Sequence, residues 1–289
     1  MVLPYGGDFY KYSEVLDPSL RHGLLLNYYE SSKKEPKLKK INNYWLTNTD
    51  AMLSWYQFDG IGRWDILPAC SFVIDTKDWI SKKKYIAKNG FDGLVNIVHT
   101  PNHRGFKGTE FIIKAVDELK KEGLKINLKL IEKTPNSEVK RILFEEADIL
   151  VEQIIATGYA FSGIEAMSTG LPVIAGLENP LYTQVLRRYS FLNECPILSG
   201  SPENIKDQIR LLVTNPDLRE KLGKANRKYV EKYHSYKTAG YMFEQLYQKI
   251  WYNKEVDTLN MFHPLFENSY NNSLPLIQHP LVNNHYPQS

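Results

Sequence analysis

The stretch Leu94-Val95-Asn96-Ile97-Val98-His99-Thr100-Pro101-Asn102-His103-Arg104-Gly105-Phe106-Lys107-Gly108-Thr109 decides the fold. Its first six residues are a short apolar run with β-branched side chains, which reads as a buried strand. A glycine-containing loop follows over 100–108. Phe111, Ile112, Ala115, Val116 and Leu119 then recur at helical spacing, and Gly123 stands just past the end. Ile126, Leu128 and Leu130 alternate with Asn127 and Lys129, as in a strand. Val139, Ile142 and Leu143 mark another helix, after Pro135 and a capping Asn136 or Ser137. Residues 148–151 read as a strand, 163–169 as a helix ended by Gly170, and 172–175 as the next strand. Such alternation requires parallel strands joined by crossover helices. An α/β, doubly wound, Rossmann-like domain with a parallel sheet is therefore predicted over 92–235.

Later helices are punctuated by Ser201-Pro202 and Asn215-Pro216, each placing a capping side chain before a proline in the first turn. A last helix, 236–252, carries Ala239, Met242, Phe243, Leu246 and Ile250 on one face and is expected to pack back toward the N-terminal region. Residues 253–289 hold seven asparagines and four prolines without a helical or strand period, and are expected to form a mostly disordered tail. Residues 1–91 are aromatic and turn-rich. They read as a partial N-terminal domain, the later portion of a larger one, with a linker near 75–84.

The 289 residues are 43% hydrophobic and 24% charged, a globular composition. A net charge of +3 argues against a nucleic-acid-binding role, which calls for a larger and more clustered basic excess. Two cysteines, Cys70 and Cys195, exclude a disulfide framework and a CxxC metal site. No apolar run approaches membrane-spanning length, and the first residues lack the pattern of a signal peptide, so a cytoplasmic location is expected. The lysines at 33, 34, 37, 39 and 40 read either as a solvated basic face or as a peripheral contact with an anionic membrane.

Two segments carry chemistry. Arg104 and Lys107 lie at the carboxyl end of a predicted strand, where open α/β sheets bind ligands. A guanidinium fork and an ammonium three residues apart can neutralise a diphosphate, and Gly105 and Gly108 allow close backbone approach. An ordinary basic loop is the alternative. The second segment, 156–174, runs through Gly158, Tyr159, Ala160 and Ser162 into a helix N-terminus that favours an anion. Glu165 in its first turns can accept from both hydroxyls of a ribose, or simply complement the helix dipole. His99 and His103 are four apart, but no further ligands accompany them, and no metal site is expected.

Glu165-Ala166-Met167-Ser168-Thr169-Gly170-Leu171-Pro172-Val173-Ile174 resembles the Glu-Ala-Met-Ala-x-Gly-x-Pro-Val-Val signature of glycosyltransferases group 1, which have the GT-B fold. Residues 104–109 are similar to that family's Arg…Lys-Gly phosphate loop. Residues 215–223 and 229–235 resemble its C-terminal helices, Ile66-Leu67-Pro68 with Asp75 its interdomain segment, and Pro4-Tyr5-Gly6-Gly7-Asp8 a strand end of its N-terminal domain. The resemblance implies bacterial polysaccharide or lipopolysaccharide assembly. A nucleotide-sugar donor, with no cofactor, would bind the C-terminal domain, and a glycan or lipid-linked acceptor the N-terminal one. Arg104 and Lys107 then match the catalytic pair that stabilises the departing diphosphate. Replacing either by alanine is expected to remove most transfer while leaving the fold intact. His103, Gly105, Gly158, Tyr159, Ala160, Ser162 and Glu165 fall to donor binding, and Asp8 to the acceptor side. Glu132 and Lys133 would flank the base. Glu165 matches the second glutamate of a spaced pair, whose first position is Thr157 here. A retaining sugar transfer is implied. The alternative is a non-catalytic nucleotide- or partner-binding remnant of such an enzyme.

Overall fold

A computed structural model describes residues 1–4, 9–53, 59–61, 63, 65–66, 72–258 and 261–262, apart from the side chains of 188 and 189. Two helices open the chain, α1 (Pro18–Ser32) and α2 (Glu35–Asn48). The Asp17 carboxylate caps α1, accepting from the Leu20 amide at 2.8 Å, and Pro18 supplies its first residue. After α2 come β1 (Val95–His99), the single turn α3 (Arg104–Lys107), α4 (Thr109–Lys121), β2 (Ile126–Leu130), α5 (Asn136–Glu145) and β3 (Ile149–Val151). Then follow α6 (Phe161–Ser168), β4 (Val173–Ala175), α7 (Pro180–Tyr189), β5 (Leu198–Ser199), α8 (Ile205–Thr214), α9 (Pro216–Tyr233) and α10 (Tyr236–Tyr252).

The five strands form one parallel sheet in the order β2-β1-β3-β4-β5. Val95 of β1 stands opposite Ile126, and Ile97 opposite Ile149. Successive side chains of β1 enter opposite layers. Val95 and Ile97 meet Ile112, Val116 and Leu119 of α4 and Ile209 and Leu212 of α8. Val98 meets Ile142 and Leu143 of α5, Ile164 and Met167 of α6, and Tyr229 and Val230 of α9. Burial on both faces explains why the strands read as apolar runs rather than alternations. The α/β expectation for the central part of the chain holds.

Local punctuation differs from the sequence reading at three places. The loop over 100–108 contains a helical turn, α3, closed by Gly108 at φ +76°. Neither Asn136 nor Ser137 caps α5, which begins at Asn136 itself. Ser201 does not stand at a helix cap, and Asn215 occupies the N-cap of α9 before Pro216, as read, but makes no side-chain capping bond. α8 starts at Ile205, and the Asn215 amide donates to Leu211 O at 2.8 Å, closing α8 rather than opening α9.

The N-terminal region carries a trace of sheet, a parallel bridge between Val2 and Met52 on either side of α1 and α2. Leu20, Leu24, Met52 and Ile61 form a small cluster that also takes in Ala156 and Tyr182. Ala239, Met242 and Leu246 of α10 share a cluster with Ala51, Leu53, Ile66, Ile74 and Trp79. Met261 and Phe262 are buried in the same cluster, so two residues of the expected tail join the core; 263–289 lie outside the described residues. Ile74 and Ser235 form a second parallel bridge beside the start of α10. Among the described residues no helix is long and apolar enough to cross a membrane. Lys33 pairs with Glu30, and Lys39 with Glu14 and Glu35, within and between these N-terminal elements.

Candidate functional site

A cleft of about 330 Å³ opens at the carboxyl edge of the sheet. Its wall takes Thr100, Pro101, Asn102 and Lys107 from beyond β1, Ile131 to Thr134 in part from beyond β2, and Ala160, Phe161, Ser162 and Glu165 from the start of α6. Because β1 has β2 on one side and β3 on the other, this is where successive crossovers part, the usual ligand position in such sheets.

Lys107 is buried, 4% exposed, yet lines the cleft. Its ammonium donates to Glu152 Oε1 and, at 3.0 Å, to Gln153 Oε1. Ser162 Oγ donates to the same Glu152 oxygen at 2.8 Å. Gln153 passes the restraint onward, its amide donating to Gly158 O at 3.2 Å. Backbone bonds clamp the two segments together: Ile154 N donates to Lys107 O and Ala156 N to Phe106 O. Glu152 and Gln153 belong to neither motif segment. Their signal was position, a polar pair directly after the buried strand β3, at the edge where ligands bind.

Arg104 sits on the same turn as Lys107, but its guanidinium lies outside. It forks onto Glu132 at 3.0 and 2.8 Å and reaches Glu110 at 3.1 Å. The guanidinium holds the Glu132 carboxyl below its ordinary range. Glu165 accepts from the Asn136 amide at 2.7 Å. Burial raises the Glu165 pKa, and the Asn136 bond opposes that rise. Asn136, expected to cap α5, thus serves the cleft instead.

The remaining expected donor residues are placed less directly. His103 Nδ1 lies 3.3 Å from the Tyr28 hydroxyl, and the two rings are 4.6 Å apart. Gly105 turns its open side to α1, where a Cβ would meet Leu26 at 3.0 Å and Asn27 at 3.2 Å. A Cβ on Gly108 would stand 2.5 Å from Ile154. Gly108 is therefore required by packing and by its positive φ, and Gly105 is packed tightly against α1. Gly158, at φ +92°, donates its N–H to Gly176 O at 2.6 Å. Tyr159 turns inward, its hydroxyl bonded to Tyr229 and His234. Thr157 is buried. His99 is buried between Val151 O at 2.7 Å and Thr109 Oγ1 at 2.9 Å, a structural position. Asp8 lies outside the described residues. No three His, Cys, Asp or Glu side chains cluster as metal ligands among the described residues.

Residues 82–229, just over half of the chain, match the family model of glycosyl transferases group 1. The chain belongs to this family. A search of curated proteins returned no match. Among solved structures, the sucrose-phosphate synthase of Thermosynechococcus elongatus superposes with a TM-score of 0.54 at 14% identity, over 80% of this chain and 66% of that one. TarM of S. aureus, as a point mutant in complex with fondaparinux, α-GlcNAc-glycerol and UDP, superposes with a TM-score of 0.50 at 16% identity, over 73% of this chain and 46% of that one. At these identities the likeness shows a shared fold. The group 1 chain described here spans about two thirds of the synthase and under half of TarM. The GT-B-like expectation agrees with both the family and these neighbours.

Proposed function

We propose that the chain transfers a sugar from a nucleotide-sugar donor to a glycan or lipid-linked acceptor, with no bound cofactor. The observation that carries this reading is the convergence of Lys107, the α6 N-terminus with Ser162, and Glu165 on one cleft at the sheet's carboxyl edge. An ammonium and a helix N-terminus suit a diphosphate, and a carboxylate a short way along the helix suits ribose hydroxyls. Arg104, exposed and held by two exposed carboxylates, can exchange Glu132 for a phosphate.

In the proposed step the bond from sugar C1 to the phosphate oxygen breaks and its electron pair stays with the diphosphate. The acceptor oxygen bonds to C1, and its proton passes to the departing phosphate oxygen. Charge grows on the diphosphate as the bond breaks, so fixed cations lower the barrier. Glu152 and Glu165 are engaged by Lys107, Ser162 and Asn136, which supports a route without a carboxylate nucleophile; in that route the acceptor oxygen enters on the face from which the diphosphate leaves, which gives retention at C1.

The test is a thermal-shift titration against uridine, guanosine and adenosine diphosphates and their sugar conjugates, repeated with Glu165→Ala. A ligand that binds only folded protein raises the midpoint by mass action. One nucleotide should shift the wild type and fail to shift the variant. Binding of a diphosphate without any of its sugar conjugates would favour the non-catalytic alternative. No shift from folded protein would sink the donor-site assignment.

A further inference from the structure

The two cations assigned to the proposed diphosphate are both held by carboxylates, but in different ways. Arg104 and its partners Glu132 and Glu110 are all substantially exposed, so those contacts can be exchanged. Lys107 and Glu152 are not: their side chains are 5% and 0% exposed. A buried ion pair cannot be opened cheaply, because either charge left alone in the interior is strongly destabilising. Lys107 therefore stays with Glu152 when a ligand arrives. An ammonium has three donors. Glu152 and Gln153 take two, and the third remains for a ligand in the cleft that Lys107 lines.

Glu152 makes two further contributions. The oxygen that receives Lys107 also receives Ser162 Oγ, so one carboxylate sets the positions of two cleft-lining groups. Its other oxygen, Oε2, is buried with no hydrogen-bond partner among the described residues. That is a costly arrangement for a group whose only task is packing.

Resting on the donor-site reading above, we infer that Glu152 is a positioning residue and a built-in counter-charge, which aims Lys107 into the cleft while cancelling its charge. The cleft floor then carries no net charge from this pair. Diphosphate affinity is held down before and after transfer, while the short-range hydrogen bond of Lys107 to the leaving group is kept. A glutamate serving only to fill space would give no such control.

The experiment compares wild type with Glu152→Gln, which keeps shape and hydrogen bonding but removes the charge. Binding of inorganic pyrophosphate and of the three nucleoside diphosphates is measured by calorimetry at several salt concentrations. The counter-charge predicts that the variant binds diphosphate about tenfold more tightly, with a steeper fall on adding salt. A purely structural glutamate predicts weaker binding. Affinity equal to or below wild type overturns the assignment and leaves the donor-site reading intact.

If wild type binds no diphosphate, the donor-site reading fails, and the pair is judged by unfolding of Lys107→Met, Glu152→Gln and the double variant. Strong coupling between the two changes supports the pairing, and additivity overturns it. Should Glu152→Gln fail to fold, recovery on adding Lys107→Met is the supporting result, and failure of both is the overturning one.

Discussion

The Tyr159 hydroxyl lies 2.9 Å from Nε2 of His234, tying the loop after β3 to the residue that ends α9. His234 Nδ1 lies 2.9 Å from Phe72 O, a carbonyl that can only accept. The ring therefore donates from Nδ1 and accepts at Nε2 from Tyr159, which in turn accepts from Tyr229 at 2.7 Å. This neutral tautomer joins the proposed donor loop to Phe72, before β1, and to the start of α10. Tyr159→Phe should lower unfolding free energy by about 1–3 kcal/mol, since it leaves the buried Nε2 of His234 unpaired and takes one of two partners from Tyr229. Urea unfolding checks the value; an unchanged midpoint would refute the coupling.

The same burial sets a pH dependence. His234 and His99 are both pushed down to about 4 from 6.5, chiefly by desolvation. A folded-state pKa below the unfolded one means that the unfolded chain takes up protons first. Stability is then fully present above about pH 6.5 and falls as pH drops toward 4, by at most about 1.4 kcal/mol per pH unit for each histidine. Urea midpoints taken from pH 7 to 4.5 should decline over that window. A flat profile between pH 6.5 and 5 would contradict it.

Arg104 and Lys107 should separate on substitution, although sequence reasoning treats them alike. Arg104→Ala removes an exposed side chain with exposed partners, and stability should change by no more than about 1 kcal/mol. Transfer should fall by about 10²–10³ in kcat. Lys107→Met leaves the Glu152 carboxylate buried without its cation and should cost about 3–5 kcal/mol of stability as well. Parallel denaturation and turnover measurements decide it; equal stability of the two variants would be the contrary outcome.

Asn136 should matter to nucleotide binding through Glu165. Its amide bond opposes the upward push of burial on the carboxyl, so Asn136→Ala should raise the Glu165 pKa further. The neutral acid accepts hydroxyls less well. Nucleotide affinity should therefore begin to fall at higher pH in the variant than in wild type as the solution is acidified. Superimposable affinity–pH curves would dismiss the link.

The N-terminal region should brace the proposed phosphate loop. Asn27 Oδ1 of α1 accepts from Phe106 N at 2.8 Å, and a Cβ on Gly23 would stand 3.2 Å from Gly105 O. Asn27→Ala should lower stability by about 1 kcal/mol. It should also weaken diphosphate binding several-fold, because α3 loses its outer support. Unaltered binding would show that α3 holds its shape without α1.

Much of the cleft was legible because short segments encode it. Lys107, Ala160, Ser162 and Glu165 stand at strand ends and at one helix start, and such positions follow from local period and punctuation. Glu152 and Gln153 escaped notice, although the same rule applies to them, because their roles come from partners 45 and 46 residues away. Tyr159 was expected beside the ligand, and only the packing of α9 reveals that its hydroxyl turns toward Tyr229 and His234. Asn136 and Asn215 read as helix caps, yet neither accepts a capping bond; each donates its amide instead, to Glu165 and to Leu211 O, partners that only the folded chain brings within reach.

By itself the sequence determined the alternation of strands and helices from 94 onward, the parallel sheet it requires, the family and the edge at which a ligand would bind. These follow from apolar period, glycine and proline placement, and motifs confined to a few residues. Only the tertiary structure decided that Lys107 is paired with a buried glutamate, that Gly105 faces α1, and that Met261 and Phe262 join the core. The physical reason is range. Backbone preference acts over a few residues, whereas burial and charge pairing depend on which distant segments the folded chain brings within a few ångströms.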